Sequence, residues 1–276
     1  MFIKITNTAL IMLILVVLSS CTINECDCPV AVEDQPQVIY VPEDYETLQA
    51  AINAAEEGDT IRVGPGTYNE GLNFFGKNVW FESTDGPEVT IIDATGWTYG
   101  IYLSLGEDTT LVIRGFTIEK AIYNGINASD ASFSMYNCII RNNAEYGIAC
   151  NLGSHAIIEN CVTDNNGTNI GIAYSWGRLI NTISVNANRY GIWNIAIYPS
   201  ALNYGYNIYY NNETNFNDPP LHAETDLLQN PLFVNGTYRL DEDSPCIDTG
   251  HPQIIDIDET RSDIGVYGGP YAYQMQ

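Results

Sequence analysis

Basic residues are scarce in this chain. Ten lysines and arginines stand against 34 aspartates and glutamates, a formal net charge of −24. A surface that acidic cannot neutralise a phosphate backbone, so nucleic acid is excluded as a partner. It also disfavours polyanionic glycans unless a cation bridges the two. Histidine is nearly absent. His155, His222 and His251 are isolated in turn-like contexts, and only His222, with Glu224 and Asp226, has the makings of a metal site. Long apolar runs are missing apart from Ala9 to Leu18, ten residues where a membrane-spanning helix needs about 20. Charged residues of both signs make up only 16% of the chain, yet it has 19 tyrosines. A disordered acidic protein would lack those aromatics, so one folded domain is expected.

The first apolar run has the form of a leader: Lys4 before it, small residues after it. Leu18-Ser19-Ser20-Cys21 resembles the bacterial lipobox, and the resemblance implies cleavage before a lipidated Cys21. Such an anchor carries more than one acyl chain and binds membranes stably. Thr22 after the cysteine, where some envelopes read an inner-membrane retention aspartate, directs the expectation to the outer membrane. An ordinary secretory signal with a coincidental cysteine is the alternative. Residues 1–20 are thus read as signal, 21–37 as a polar tether with Pro29 and Pro36, and 38–276 as the folded domain. Of seven cysteines, Cys26 and Cys28 fall in the tether, a weak metal pattern with no histidine near it.

Within the domain a Gly-Ile step recurs at Gly100, Gly125, Gly147, Gly171 and Gly191, at intervals of 25, 22, 24 and 20 residues. A second register of Phe116, Cys138, Cys161 and Ile183 has spacings of 22, 23 and 22. Repeats of that length are turns of a solenoid that bury their apolar faces by stacking. Cys138 and Cys161 then stack inside as small apolar groups, with a disulfide as the less favoured alternative. Asn143, Asn166 and Asn188, each five residues after a register residue, are expected to form an internal amide ladder. Asp44 to Glu56 reads as a helix capped by Asp44, with Leu48, Ala51, Ile52 and Ala55 on one face, covering the open end of the stack.

The opening residues Thr47-Leu48-Gln49-Ala50-Ala51-Ile52, Gly58-Asp59-Thr60-Ile61-Arg62-Val63 and Gly64-Pro65-Gly66-Thr67-Tyr68 resemble right-handed parallel β-helix proteins of the pectin-lyase-like superfamily. The middle coils resemble the carbohydrate-binding and sugar-hydrolase type of β-helix repeat. The end, Ser244 to Gly250 with Asp263 to Gly269, is similar to the closing segment of bacterial surface β-helix proteins. The resemblance implies an all-β, right-handed parallel β-helix with a short N-terminal capping helix and an irregular segment over 217–276. It implies polysaccharide as the partner but no particular reaction, since the superfamily mixes lyases, hydrolases, esterases and non-catalytic binders. The Arg-x-Pro-x-x-Arg run of pectate lyases is absent, as are the polygalacturonase and methylesterase signatures.

Strand alternation maps the outer surface. With Cys138 and Ile140 inward, the outward column is Glu119, Arg141, Asp164 and Asn186, with Arg141 between two carboxylates. In a lyase such an arginine is the base and Glu119 and Asp164 the metal ligands or acid/base groups; otherwise the column is a charge ladder. Asp256, Asp258 and Asp263 are either Ca²⁺ ligands or ordinary turn formers. The aromatics are the stronger lead. Tyr102 and Trp193 follow Gly-Ile steps and face outward, while Tyr146 and Tyr190 precede them. Rigid aromatic faces of this kind suit sugar rings. The expectation is a lipoprotein that binds extracellular polysaccharide, with a lyase or hydrolase and a structural or adhesive surface protein as alternatives.

Overall fold

The computed structural model describes residues 35–195, 202–217 and 222–273. The leader, Cys21, Cys26 and Cys28 lie outside them. The described chain winds as a right-handed parallel β-helix with three sheets. Sheet A stacks eight strands from Val38–Val41 to Leu202–Gly205. Sheet B stacks seven from Gly66–Tyr68 to Ile208–Tyr210, and sheet C seven from Leu72–Asn73 to Thr214–Phe216. Every rung is parallel. The interior is one apolar column in which Phe81 stacks on Phe116 at 4.4 Å and meets Phe74 edge-on at 5.5 Å.

The end of the stack is closed by the helix Leu48–Ala54, which buries Leu48, Ala51 and Ile52. It is shorter than the sequence suggests, because Thr47 rather than Asp44 supplies the cap, accepting from Ala50 N at 3.2 Å. Asp44 instead closes a tight turn by accepting from Tyr40 N. Lys77 fixes the other end: its Nζ donates to the carbonyls of Ile52, Asn53 and Ala55, where the last helical acceptors are orphaned.

The repeat is more regular than the Gly-Ile spelling. Sheet C pairs Ile101, Ile126, Ile148, Ile170 and Ile192 in one column, so the last three steps are each 22 residues. Gly171-Ile172 is therefore two residues out of line, and Asn169 holds the glycine position of that coil. A two-residue slip keeps an isoleucine inward, which is why composition alone could not reveal it. The second register also ends differently. Ile183 pairs with Val162, which pairs with Ile139, so Thr182 and not Ile183 lies above Cys161. A one-residue slip changes the face, and the outward column consequently reads Asp93, Glu119, Arg141, Asp164 and Val185; Asn186 is not a member.

Both registers explain the amide ladder. Asn143 Oδ1 accepts from Ala121 N, and its Nδ2 donates to Ile118 O. Asn166 repeats the pattern on Asn143 N and Ile140 O, and Asn212 on Ala187 N and Ser184 O. Asn188 stands outside it on the surface, because its coil is one residue shorter and Ala187 takes the ladder place. Asn169 fills the gap from the opposite strand: it accepts from Asn166 N and donates to Thr163 O and Val185 O. Cys138 and Cys161 stack as free, fully buried thiols, and burial pushes the Cys138 thiol up to about 12.

The C-terminal segment from His222 folds back along the solenoid without strands of its own. Its Cys246, Ile264 and Val266 cover the outward Ile139, Val162, Ile183, Val185 and Ile208 of sheet B. A column of left-handed asparagines at the A–B corner receives it: Asn137 donates to Val266 O and Gly268 O, Asn160 to Asp263 O, and Asn181 accepts from His251 N. Beyond it, Tyr273 donates to Ser83 O and Arg114 binds Tyr271 O on sheet A. Among the described residues, the segment's docking contacts thus occupy sheets A and B and the last coil and leave the outer face of the central sheet C strands uncovered.

Candidate functional site

Sheet C has an unusual composition for so acidic a chain. Its seven strands read LN, YGIYL, NGINAS, YGIACN, TNIGIA, YGIWNI and TNF, with no charged residue in any of them. One outward column runs Asn73, Tyr102, Asn127, Ala149, Gly171 and Trp193. Tyr102 and Trp193 are thus brought into line, four rungs or about 19 Å apart at about 4.8 Å per rung. Small residues floor the space between them.

The rings at each end are braced. Tyr99 stacks on Tyr102 at 5.2 Å and 12°, and Tyr123 meets Tyr99 edge-on at 6.4 Å. Tyr146 leans to within 6.4 Å of Trp193. Its ring lies over Gly171, where an added Cβ would sit 2.6 Å from Cδ1 and Cε1. Arg189 lies 5.7 Å from the Tyr146 centroid and is tied to Glu145 at 2.6 Å. Tyr190, half-buried, stands opposite Thr214 at the start of its strand. Tyr99, directly before the Gly100-Ile101 step, belongs to the same sequence set as Tyr146 and Tyr190; Tyr123 was not among the candidates, although it precedes the Gly125-Ile126 step by two residues.

The charged column is assembled as expected but bonded differently. Arg141 Nε pairs with Glu119 Oε2 at 2.7 Å, and Lys120 holds the other Glu119 oxygen at 2.7 Å. Asp164 does not complete the sandwich. Tyr238 from the C-terminal segment donates to its Oδ2 at 2.7 Å and Asn186 to its Oδ1 at 2.8 Å. Burial works against the Arg141 charge, but the Glu119 carboxylate and the Tyr238 hydroxyl outweigh it and hold the guanidinium above its ordinary pKa. Burial, then the Asp164 charge, pushes the Tyr238 phenol up as well. Residues Phe233 to Tyr238 overhang Arg141 and Asp164 to leave a pocket of about 380 Å³. Nothing in the coil repeat links Tyr238 to these residues, so the sequence could not supply it. A second pocket of about 380 Å³ lies on sheet A between Arg62, Glu82, Arg114 and Tyr273.

The other acidic candidates serve the backbone. Asp226 accepts from Asn207 N and Ala223 N, Asp256 from Asp263 N, Asp258 from Thr260 N, and Asp263 from Asp248 N. Among the described residues no three His, Cys, Asp or Glu side chains gather as metal ligands would. Burial, with the charges of Asp256, Asp248 and Asp258, raises Asp263 to about 6 against the opposing hydrogen bond from Asp248 N. The folded state therefore prefers the protonated acid. Its contribution to docking the segment is fully present below about pH 4 and is lost as pH rises through about 6. Hydrogen exchange corrected for its intrinsic rate should show residues 246–269 better protected at pH 5 than at pH 7.5, and Asp263→Asn should shrink that difference. An unchanged difference in the variant assigns the effect elsewhere.

A family comparison agrees with this architecture. The sequence matches the model of a family described as right handed beta helix region over residues 78–220. No curated protein matches the chain. A pectin methylesterase from carrot is a similar solved structure, 13% identical, with 69% of this chain and 85% of that one covered and a TM-score of 0.36. Another is the pectate lyase Pel9A, 12% identical, with 86% of this chain and 96% of that one covered and a TM-score of 0.39. At these identities and TM-scores neither structure carries an argument about this chain.

Proposed function

The chain belongs to the right-handed β-helix family, and from that premise we propose that it is a polysaccharide-binding protein that uses the outer face of sheet C. The observation that carries the reading is the uncharged column in which Tyr102 and Trp193 bracket Asn127, Ala149 and a Gly171 covered by the Tyr146 ring. Sugar rings present flat C–H faces that stack on aromatic rings, and hydroxyls that pair with amides such as Asn127. Braced side chains lose little freedom on binding, which favours affinity. The enzymatic alternative would use Arg141 with Glu119 and Asp164. A guanidinium held in its charged form by Glu119 is a poor general base, and these groups brace the C-terminal segment instead.

From the lipobox resemblance of Leu18-Ser19-Ser20-Cys21 we further propose an address at the bacterial cell envelope, on the outer membrane, through a lipid on Cys21 and the tether 21–37. Fractionation tests it: Cys21→Ser should leave the membrane pellet for the soluble fraction, and continued pelleting would remove the anchor. For the face itself, Trp193→Ala should weaken binding to the recognised polysaccharide at least tenfold in affinity electrophoresis, with the urea midpoint close to the parent's. Equal retardation of variant and parent would place binding elsewhere.

A further inference from the structure

The uncharged sheet raises the question of which polysaccharide it would take. We infer that the ligand is a neutral, extended polysaccharide lying along the solenoid axis from Tyr102 to Trp193, and that this face rejects polyuronates. The inference rests on the glycan-binding reading above and narrows it.

Charge is the first argument. A polyuronate carries a carboxylate on each sugar and needs cations to meet it. Sheet C provides none in its seven strands. Nor can the rest of the molecule lend one freely. Ten lysines and arginines less Lys4, outside the described residues, leave nine. Seven of these are ion-paired within the chain. Lys77 and Arg261 are bonded to backbone carbonyls. Arg189 borders the face, 5.7 Å from the Tyr146 centroid, and Glu145 holds it at 2.6 Å. Recruiting it would expose Glu145 to the incoming carboxylates. A net charge of −24 adds a long-range repulsion that acts before contact.

Geometry is the second argument. The bracketing rings are separated along the axis, not across it, because they share one strand-pairing column. Between them Ala149 is low and buried and Gly171 lies under the Tyr146 ring, so a chain of sugar rings crosses small residues and then a third aromatic face before it reaches Trp193. Asn127 stands part-way along. Its Oδ1 accepts from Asn124 Nδ2 at 3.0 Å, while its own NH2 has no partner among the described residues. That is a donor for a sugar hydroxyl, and neutral donors and rings are what a neutral glycan requires.

The test titrates the full-length chain in detergent against cello-, xylo- and manno-oligosaccharides and against oligogalacturonate and oligomannuronate. Each titration is run at 20 and 200 mM salt, with and without Ca²⁺, for the parent, Trp193→Ala and Tyr102→Ala. Urea midpoints show whether each variant is folded. At least one neutral series should bind, with affinity rising until the oligosaccharide spans about 19 Å and changing less than about twofold with salt, as expected without ion pairing. Either substitution should cost at least tenfold. Uronate binding that Trp193→Ala abolishes would overturn the neutral assignment while keeping the glycan face. Binding of either class that neither substitution alters, or no binding at all, would overturn both the face and this inference.

Discussion

Asn169→Ala should lower the stability of the solenoid by about 3–5 kcal/mol, read as a fall in the urea midpoint with an unchanged slope. The side chain does four jobs at once, accepting from Asn166 N and Nδ2 and donating to Thr163 O and Val185 O. All of these groups are sealed from water, and each orphaned buried polar group costs about 1–3 kcal/mol. The more demanding expectation is rescue. In the other coils the inward glycine touches the ladder asparagine: Gly125 with Asn143, Gly147 with Asn166, Gly191 with Asn212, where a Cβ would lie 2.6–2.8 Å from the amide nitrogen. The coil of Asn169 has the opposite arrangement, an asparagine at the glycine position and Ala187 at the ladder position. Asn169→Gly alone should therefore destabilise by opening the ladder, and Ala187→Asn alone by crowding Asn169. The double variant recreates the pattern of its neighbours and should recover most of the loss. Simple additivity of the two effects in a double-mutant cycle would refute the compensation.

Gly171→Val should remove ligand binding while leaving the coil folded. Gly171 faces outward in line with Ala149 and Trp193, and the Tyr146 ring lies on it. A valine there meets ring carbons at 2.6 Å and must lift Tyr146 into the path of the ligand and away from Trp193. Tyr146 is half-exposed, and its ring can be displaced toward solvent without moving the coil backbone, so the stability change should stay within about 1 kcal/mol. Affinity should fall at least tenfold, about 1.4 kcal/mol. Titration of the variant beside Gly171→Ala, where the smaller group displaces the ring less, should give a graded loss. A variant with parental affinity would show that the shelf at Tyr146 and Trp193 is not where the glycan rests.

The fold was legible because it repeats. Each coil restates the same alternation, so one misread coil does not hide the period, and the aromatic column Tyr102–Trp193 followed from alternation on either side of inward isoleucines. The errors lie where the repeat is imperfect. Asn169 and Ala187 exchange roles across the interior, and only contacts between coils reveal that Gly171-Ile172 and Asn188 are out of register. The helix cap moved from Asp44 to Thr47 because Asp44 had a nearer donor in Tyr40 N. The partners of Arg141 and Asp164 were half hidden for a different reason. Tyr238 arrives from a segment without periodicity, 74 residues beyond Asp164. Its place depends on the sockets of Asn137, Asn160 and Asn181, whose amides look like ordinary turn residues in the sequence.

The most direct test of the central claim is a crystal structure of the full chain with a neutral oligosaccharide long enough to reach from Tyr102 to Trp193. The account predicts sugar density along sheet C, with rings stacked at both aromatics and a hydroxyl on the Asn127 amide. Density instead in the pocket under Phe233 to Tyr238, beside Arg141 and Asp164, would contradict it and return the charged column to the centre of the protein's function.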